Sequence, residues 1–260
     1  MIKKIIVILA ALLVSSLAQA TPTYILPDDT IIFRSDFGGA SATGFIQSVM
    51  LHEGKYIPIY IDSPGGSVFA LDQMISAVRA TGKKTVCFVG FAASAAFMFT
   101  HAVCDIRVVQ PFSVLMSHQA ATAYRGEVNR IESFKKLIDG MLLRLDNIVS
   151  KRLGLSVAEL REKSSDEWWV SGADSVKEGL ADKVANLKCS PAMLGRSYTE
   201  SLQMFGFTLE LVWSTCPLLP YPLSVNGNPT FSTPLPVSPN SRERFEAHKE
   251  FYINMGTSKE

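Results

Sequence analysis

Short β-rich runs that alternate with amphipathic helical segments restrict the fold of this chain more than any other feature. Residues 30 to 33 and the run Tyr-Ile-Pro-Ile-Tyr-Ile at 56 to 61 are rich in strand-forming side chains. Between them, Phe45 to His52 carries apolar residues at helical spacing. Val68 to Ala80 then places Leu71, Ile75 and Val78 on one helical face and stops before Gly82, which suits a left-handed cap. Lys84 to Phe91 is the next strand, followed by small residues and an apolar helix ending near Val103; Asp105 to Val109 and Ser113 to Ser117 read as two more strands. Strands separated by crossover helices imply an α/β fold with a mostly parallel sheet.

Further along, Val128, Ile131, Phe134, Ile138, Met141, Leu145, Ile148 and Val149 trace a stripe through charged neighbours. They predict one long amphipathic helix from Gly126 to Arg152, about 40 Å in length and closed by Gly154. Ser156-x-x-Glu159 and Ser171-x-x-Asp174 both have the form of capping boxes that open shorter helices. The tail differs in kind. Prolines 217, 220, 222, 229, 234, 236 and 239 exclude regular helix and central strand, which leaves an extended linker or a surface-hugging arm. Residues 241–260 form a charged tail in which Arg242 to Asn254 is compatible with a helix.

At the amino terminus, Lys3 and Lys4 precede an apolar run from Ile5 to Val14, then Ala18-Gln19-Ala20. This is the order of an export signal with cleavage after Ala20, so residues 1–20 are read as a signal peptide and the mature chain as starting at Thr21, periplasmic or secreted. Ten strictly apolar residues fall short of about 30 Å of hydrocarbon, so no membrane span is expected after cleavage. Removing the two leader lysines from 25 basic residues leaves 23 against 24 acidic ones, a net charge of −1. Such a chain has no basic field for nucleic acid, which is excluded as a partner.

Export also changes how the cysteines are read, because an oxidising compartment permits disulfides. Cys189 and Cys216 bracket a short loop and are the expected pair; Cys87 and Cys104 lie in strand-like stretches where two buried thiols are an equal alternative. No cysteine or histidine spacing suggests zinc, and neither a metal nor another cofactor is expected.

Three stretches carry chemistry. Ser63-Pro64-Gly65-Gly66-Ser67 joins a strand to a helix, and its glycines can free backbone N–H groups to face an anion. Ser94 stands among alanines where a strand gives way to a helix, so its hydroxyl can be exposed next to the helix's positive end. His118 stands at a strand end in Met-Ser-His-Gln, and histidine as a residue type, with an unperturbed pKa near 6.5, is suited to taking a proton from a serine hydroxyl at neutral pH. Each stretch taken alone also suits a turn, a helix cap and a structural histidine.

Together, in this order and with 24 residues from Ser94 to His118, the three stretches resemble the Clp protease proteolytic subunit family over about Ile31 to Val184. The resemblance implies repeated β-β-α units, the fold shared with the crotonases, in a domain spanning residues 21–188. A Cys-bracketed, proline-rich extension then covers 189–240. It implies a serine peptidase in which Ser94 attacks the scissile carbonyl, His118 moves the proton, and the amides of Gly66 and Ala95 hold the oxyanion, with Gly65 and Ser67 against substrate. The acid falls at Glu167 by gap-free alignment, or at Asp166 by a one-residue shift. The long helix resembles the protruding segment through which subunits of that family assemble, so a homo-oligomer acting on peptides or unfolded proteins is implied.

Departures from the family pattern are Ala120 in place of a proline and Ser117 in place of a bulky apolar residue. An exported chain also has no ATP and no ATPase unfoldase at hand, so activity is expected to be ATP-independent. Two other classes remain open: a binding or assembly protein without chemistry, and a crotonase-like acyl-thioester enzyme. A serine-lysine dyad using Lys135 or Lys136 is a further variant.

Overall fold

The computed structural model describes residues 21–121, 123–204 and 207–226. Residues 1–20, where a signal peptide is expected, the prolines from 229 onward and the tail at 241–260 lie outside them. Strand β1 (Thr23–Leu26) precedes the central alternation of β2 (Ile31–Phe33), α1 (Gly39–Leu51), β3 (Tyr56–Ser63), α2 (Val68–Ala80), β4 (Lys84–Ala93), α3 (Ala95–Val103) and β5 (Ile106–Ser117). Strands β2 to β5 pair in sequence order and in parallel; β6 (Trp168–Ser171) joins β5 antiparallel and β7 (Lys183–Val184) joins it parallel. Crossover helices cover the face of Ile57, Ile59 and Ile61, and β1, the strand Asn186–Cys189 and the segment around Met193 and Cys216 cover the face of Tyr60, Phe88 and Val108, which is why the run from Ile57 to Ile61 in β3 is buried on successive residues instead of every second one.

Pairing shifts register between Ile61 and Asp62 in β3 and between Val89 and Phe91 in β4. Each broken strand supplies two pairing stretches ahead of its helix, which makes the β-β-α repeat. For the same reason the two strands expected at 105–109 and 113–117 are one strand, β5. The ladder skips Gln110 to Ser113, and the Ser113 hydroxyl mends the gap by accepting from the Gln110 amide at 2.8 Å and donating to the Val89 carbonyl.

The core is aromatic where it meets the functional strand ends. Phe33, Phe37, Phe45 and Phe99 form a ring of edge-on and tilted contacts with centroids between 4.9 and 5.7 Å. Each such pair contributes about 0.5–1.5 kcal/mol beyond its buried area. This ring fixes α3 against the loop that follows β2.

Helix α4 (Val128–Leu153) ends at Gly154 in the left-handed conformation. Its second half buries Ile138, Met141, Leu145 and Val149, whereas from Val128 to Leu137 only Phe134 is even half-buried, so the first half projects from the body. Ser156 and Glu159 close a capping box at the start of α5 (Val157–Lys163). The box expected at Ser171 does not form. Ser171 is the last residue of β6, paired with Val114, and its hydroxyl caps nothing at the start of α6 (Gly172–Lys177).

Beyond the sheet, β8 (Asn186–Cys189) pairs in parallel with β1, followed by α7 (Pro191–Leu194). An antiparallel sheet of β9 (Ser197–Met204), β10 (Phe207–Ser214) and β11 (Ser224–Asn226) then precedes and overlaps the proline-rich stretch that was expected to be only a linker or arm. Cys189 is bonded to Cys216, and the Arg34 guanidinium donates to the Leu219 carbonyl at 3.1 Å, so the extension is tied to the body. Cys87 and Cys104 form a second disulfide instead of two buried thiols.

Candidate active site

Register brings the key side chains together. Ala93 at the end of β4 pairs with Met116 near the end of β5, so Ser94 and His118 leave neighbouring parallel strands at the same edge of the sheet. The Ser94 amide donates to the Met116 carbonyl at 2.9 Å, and His118 Nε2 lies 2.7 Å from Ser94 Oγ. Ser94 has φ +56° and ψ −118°, and it is the one non-glycine residue with positive φ among those described. Such a backbone costs about 1–3 kcal/mol and persists only where its surroundings enforce it. Although Ser94 holds the N-cap position of α3, its hydroxyl makes no cap bond and is left for the imidazole.

The glycine pair explains how the turn is enforced. Gly65 has φ +96°, and a Cβ there would stand 2.6 Å from the Ala93 carbonyl oxygen and 2.7 Å from the Ala95 amide nitrogen. Gly66 has φ +142° and lies equally close to Phe37, which bridges the loop: the Phe37 amide donates to Gly65 at 2.7 Å and the Ser67 amide to Phe37 at 2.8 Å. Among the described residues no acceptor takes the Gly66 amide, and the Ala95 amide, at the first position of α3, is an orphan donor of the helix start. The Ser67 hydroxyl accepts from the Ala70 amide at 3.4 Å and caps α2.

A cavity of about 760 Å³ opens over Ser94 and His118 and includes Gly66 and Ala95 in its lining. Its far wall is Leu71, Met98, Leu145 and Leu160, from α2, α3, α4 and α5. None of these belongs to the expected site; the apolar faces that carry Leu71 on α2 and Leu145 on α4 were their trace in the sequence. Lys135 lines the same cavity and is bonded to Asp139, and the partner of Ser94 is His118, not a lysine.

The acid is not brought to the histidine. Glu167 and Asp166 are exposed in the loop between α5 and β6, and Glu167 accepts from the Trp169 indole N–H at 2.9 Å. Among the described residues, the hydrogen bond of the His118 ring is the one to Ser94. Instead of an acid on the ring, both neighbours of His118 bond to Ser164: the Ser117 and Ser164 hydroxyls are 2.8 Å apart, and the Gln119 amide donates to the Ser164 carbonyl at 3.1 Å.

Behind the site, His101 on α3 is buried, and its pKa is lowered to about 3, first by burial and then by the charge of Arg107. Arg107 makes a forked ion pair with Asp182 through Nε at 3.0 Å and Nη2 at 2.9 Å. Burial works against the Asp182 carboxylate, yet these bonds hold its pKa below the ordinary value. No cluster among the described residues has the makings of a metal site, and none of the described helices is long and apolar enough to cross a membrane.

Comparison with known proteins agrees with this architecture. The family model described as Clp protease matches residues 19–188. A similar protein, ATP-dependent Clp protease proteolytic subunit 2 of Borreliella burgdorferi, is 27% identical over 172 residues, 63% of this chain and 86% of the relative. The ATP-dependent Clp protease proteolytic subunit of Porphyromonas gingivalis is 28% identical over 164 residues, covering 60% and 73%. A subunit 2 from Treponema denticola is 25% identical over 162 residues, covering 60% and 80%. With a family match over well more than half its length and a parallel sheet that carries a serine and a histidine on adjoining strand ends, this chain belongs to the Clp protease family.

Proposed function

We propose that this chain is an exported serine peptidase that hydrolyses peptides or unfolded proteins without nucleotide. The observation that carries the reading is the 2.7 Å contact between His118 Nε2 and Ser94 Oγ at a strained strand-to-helix turn. In the reaction, Ser94 Oγ attacks the scissile carbonyl carbon as its proton passes to His118 Nε2. The carbonyl oxygen becomes an oxyanion held by the Gly66 and Ala95 amides, donors that need no rearrangement to receive charge. His118 then gives the proton to the leaving amine, and the C–N bond breaks. Water attacks the acyl-serine by the same route, with His118 as base, and releases the carboxylate product and the free hydroxyl.

Export is supported by the leader-like first twenty residues and by the two disulfides, which leave no free cysteine. The relatives are named ATP-dependent proteolytic subunits; outside the cell neither nucleotide nor an ATP-driven unfoldase is at hand, so substrates must arrive as peptides or loosened chains. The projecting half of α4 gives the chain a surface for homo-oligomer assembly. One observation favours the second reading, a binding or assembly protein of the same fold: Glu167 is engaged by Trp169 and not by His118.

The test is hydrolysis of fluorogenic peptides and of an unfolded protein by the chain starting at Thr21, with and without ATP. Cleavage at equal rates in both conditions, lost in Ser94→Ala, is the expected result. Absence of cleavage favours the binding reading, and a requirement for ATP overturns the nucleotide-free one.

A further inference from the structure

We infer that the Ser164 hydroxyl makes Ser164 a positioning residue for catalysis: through Ser117 it fixes the end of β5 just ahead of His118, beside the backbone bond that Ser164 makes to Gln119. The inference rests on the peptidase reading of Ser94 and His118. His118 follows the end of β5, where the ladder to β4 has stopped at Met116 and the ladder to β6 stops at the Ser117–Trp168 pair, so no ladder pairing reaches His118 itself. Ser164 supplies the restraint at two points. Its hydroxyl meets that of Ser117 at 2.8 Å, and its carbonyl accepts from the Gln119 amide at 3.1 Å. One residue thus holds positions before and after the base.

Ser164 is itself well anchored. It caps the end of α5, where its amide donates to the Leu160 carbonyl at 3.1 Å, and Leu160 is buried in the core. The helix is fixed at its start by the Ser156–Glu159 box and tied to α4 by Arg161 Nε, 2.8 Å from Asp146. Ser117 and Ser164 are both largely buried at the edge of the cavity, where a hydrogen bond is stronger than in bulk water. The serine at 117, a departure from the bulky residue common in the family pattern, is what makes this bond available.

The position of the imidazole matters because a displacement of about 1 Å costs as much as a hundredfold in rate. Single substitutions are ambiguous, since each leaves one buried hydroxyl unpaired; the double variant Ser117→Ala/Ser164→Ala removes both partners and is nearly neutral for folding. The experiment compares wild type, the two single variants and the double variant by peptide hydrolysis as a function of pH, by thermal unfolding, and by labelling of Ser94 with a fluorophosphonate.

Expected for the double variant are a melting temperature near that of the wild type, a fall in kcat of about tenfold and a KM within about twofold, the signature of lost register and not of lost binding. The pH dependence of kcat/KM, which reports the free enzyme's base, shifts with it. A stable double variant with wild-type kcat and pH profile overturns the inference. So does a double variant that no longer folds, which assigns the pair to the fold alone. Wild type that neither cleaves nor labels at Ser94 removes the peptidase reading instead, an outcome distinct from either.

Discussion

The nucleophile flank of the site is fixed from every side, whereas its expected acid flank lies exposed on a loop outside the cavity lining. Ser94 sits between a β4 strand end paired to β5, a glycine packed against its turn and a helix start, and the Cys87–Cys104 disulfide joins β4 to the end of α3 so that both arms of the turn belong to one closed loop. Asp166 and Glu167 are exposed in a loop, and Glu167 turns to an indole. The difference teaches which parts of such a site demand precision. A hydroxyl and an imidazole must meet within hydrogen-bond reach to move a proton. An acid orients the ring and stabilises its charged form, and bonds to the residues on either side of the histidine can share the first of these duties.

The sharpest way to break this contrast is to disturb the tightly held flank. In Gly65→Ala the added methyl meets the backbone of Ala93 and Ala95 at under 3 Å, at a φ of +96° that L-residues rarely adopt. Peptide hydrolysis should fall by about a hundredfold, as for other small displacements of a nucleophile, in a protein that still folds by circular dichroism.

The two disulfides separate stability from register. Cys87→Ala/Cys104→Ala opens a loop with a sequence separation of 17, and Cys189→Ala/Cys216→Ala one of 27. Chain entropy alone gives each about 3 kcal/mol, so denaturant midpoints should drop alike. Labelling of Ser94 by a fluorophosphonate should slow about fivefold in the first variant, whose loop contains the turn, and by less than about twofold in the second. Equal slowing would erase the distinction between the flanks.

Acid reaches the nucleophile flank through His101. Its folded pKa of about 3 lies below the ordinary value of 6.5, so the fold holds it neutral while the unfolded chain takes up a proton. Its stabilising effect is complete above pH 6.5 and is lost as pH falls toward 3. Unfolding free energy should decline by about 2 kcal/mol from pH 6.5 to pH 4.5 on this account, and urea titrations of His101→Phe should show that part of the slope removed. Smallest of all, Glu167→Gln should change kcat by less than about threefold, because the carboxylate is exposed and bonded to Trp169. A loss approaching that of His118→Ala would restore Glu167 to the catalytic set.

Much of the nucleophile flank was legible because its requirements are local. Glycines at 65 and 66, a serine between alanines and a histidine at a strand end declare themselves in short stretches of sequence, and each is separated from the next by one crossover helix. The acid flank was not legible, because alignment places Glu167 in the chain and says nothing of which way its side chain turns once Trp169 is beside it. The Ser117–Ser164 bond joins residues 47 apart and leaves no local mark. Strand β5 was read as two because Gln110-Pro111 interrupts its apolar pattern, and a hydroxyl, not a turn, spans the gap. In the extension, Ser-Tyr-Thr-Glu-Ser-Leu-Gln at 197–203 alternates too weakly to announce a strand; its partner β10 completes it. The pairing of Cys87 with Cys104 likewise depends on α3 ending beside β4, a matter of packing and not of spacing.

The account stands most directly on covalent capture at the serine. Incubation of the folded chain with a fluorophosphonate, followed by peptide mass mapping, should place a single adduct on Ser94, absent in Ser94→Ala and slowed by about a thousandfold in His118→Ala. An unmodified Ser94, or labelling that proceeds as fast without the imidazole as with it, would contradict the claim that the two act as one catalytic pair.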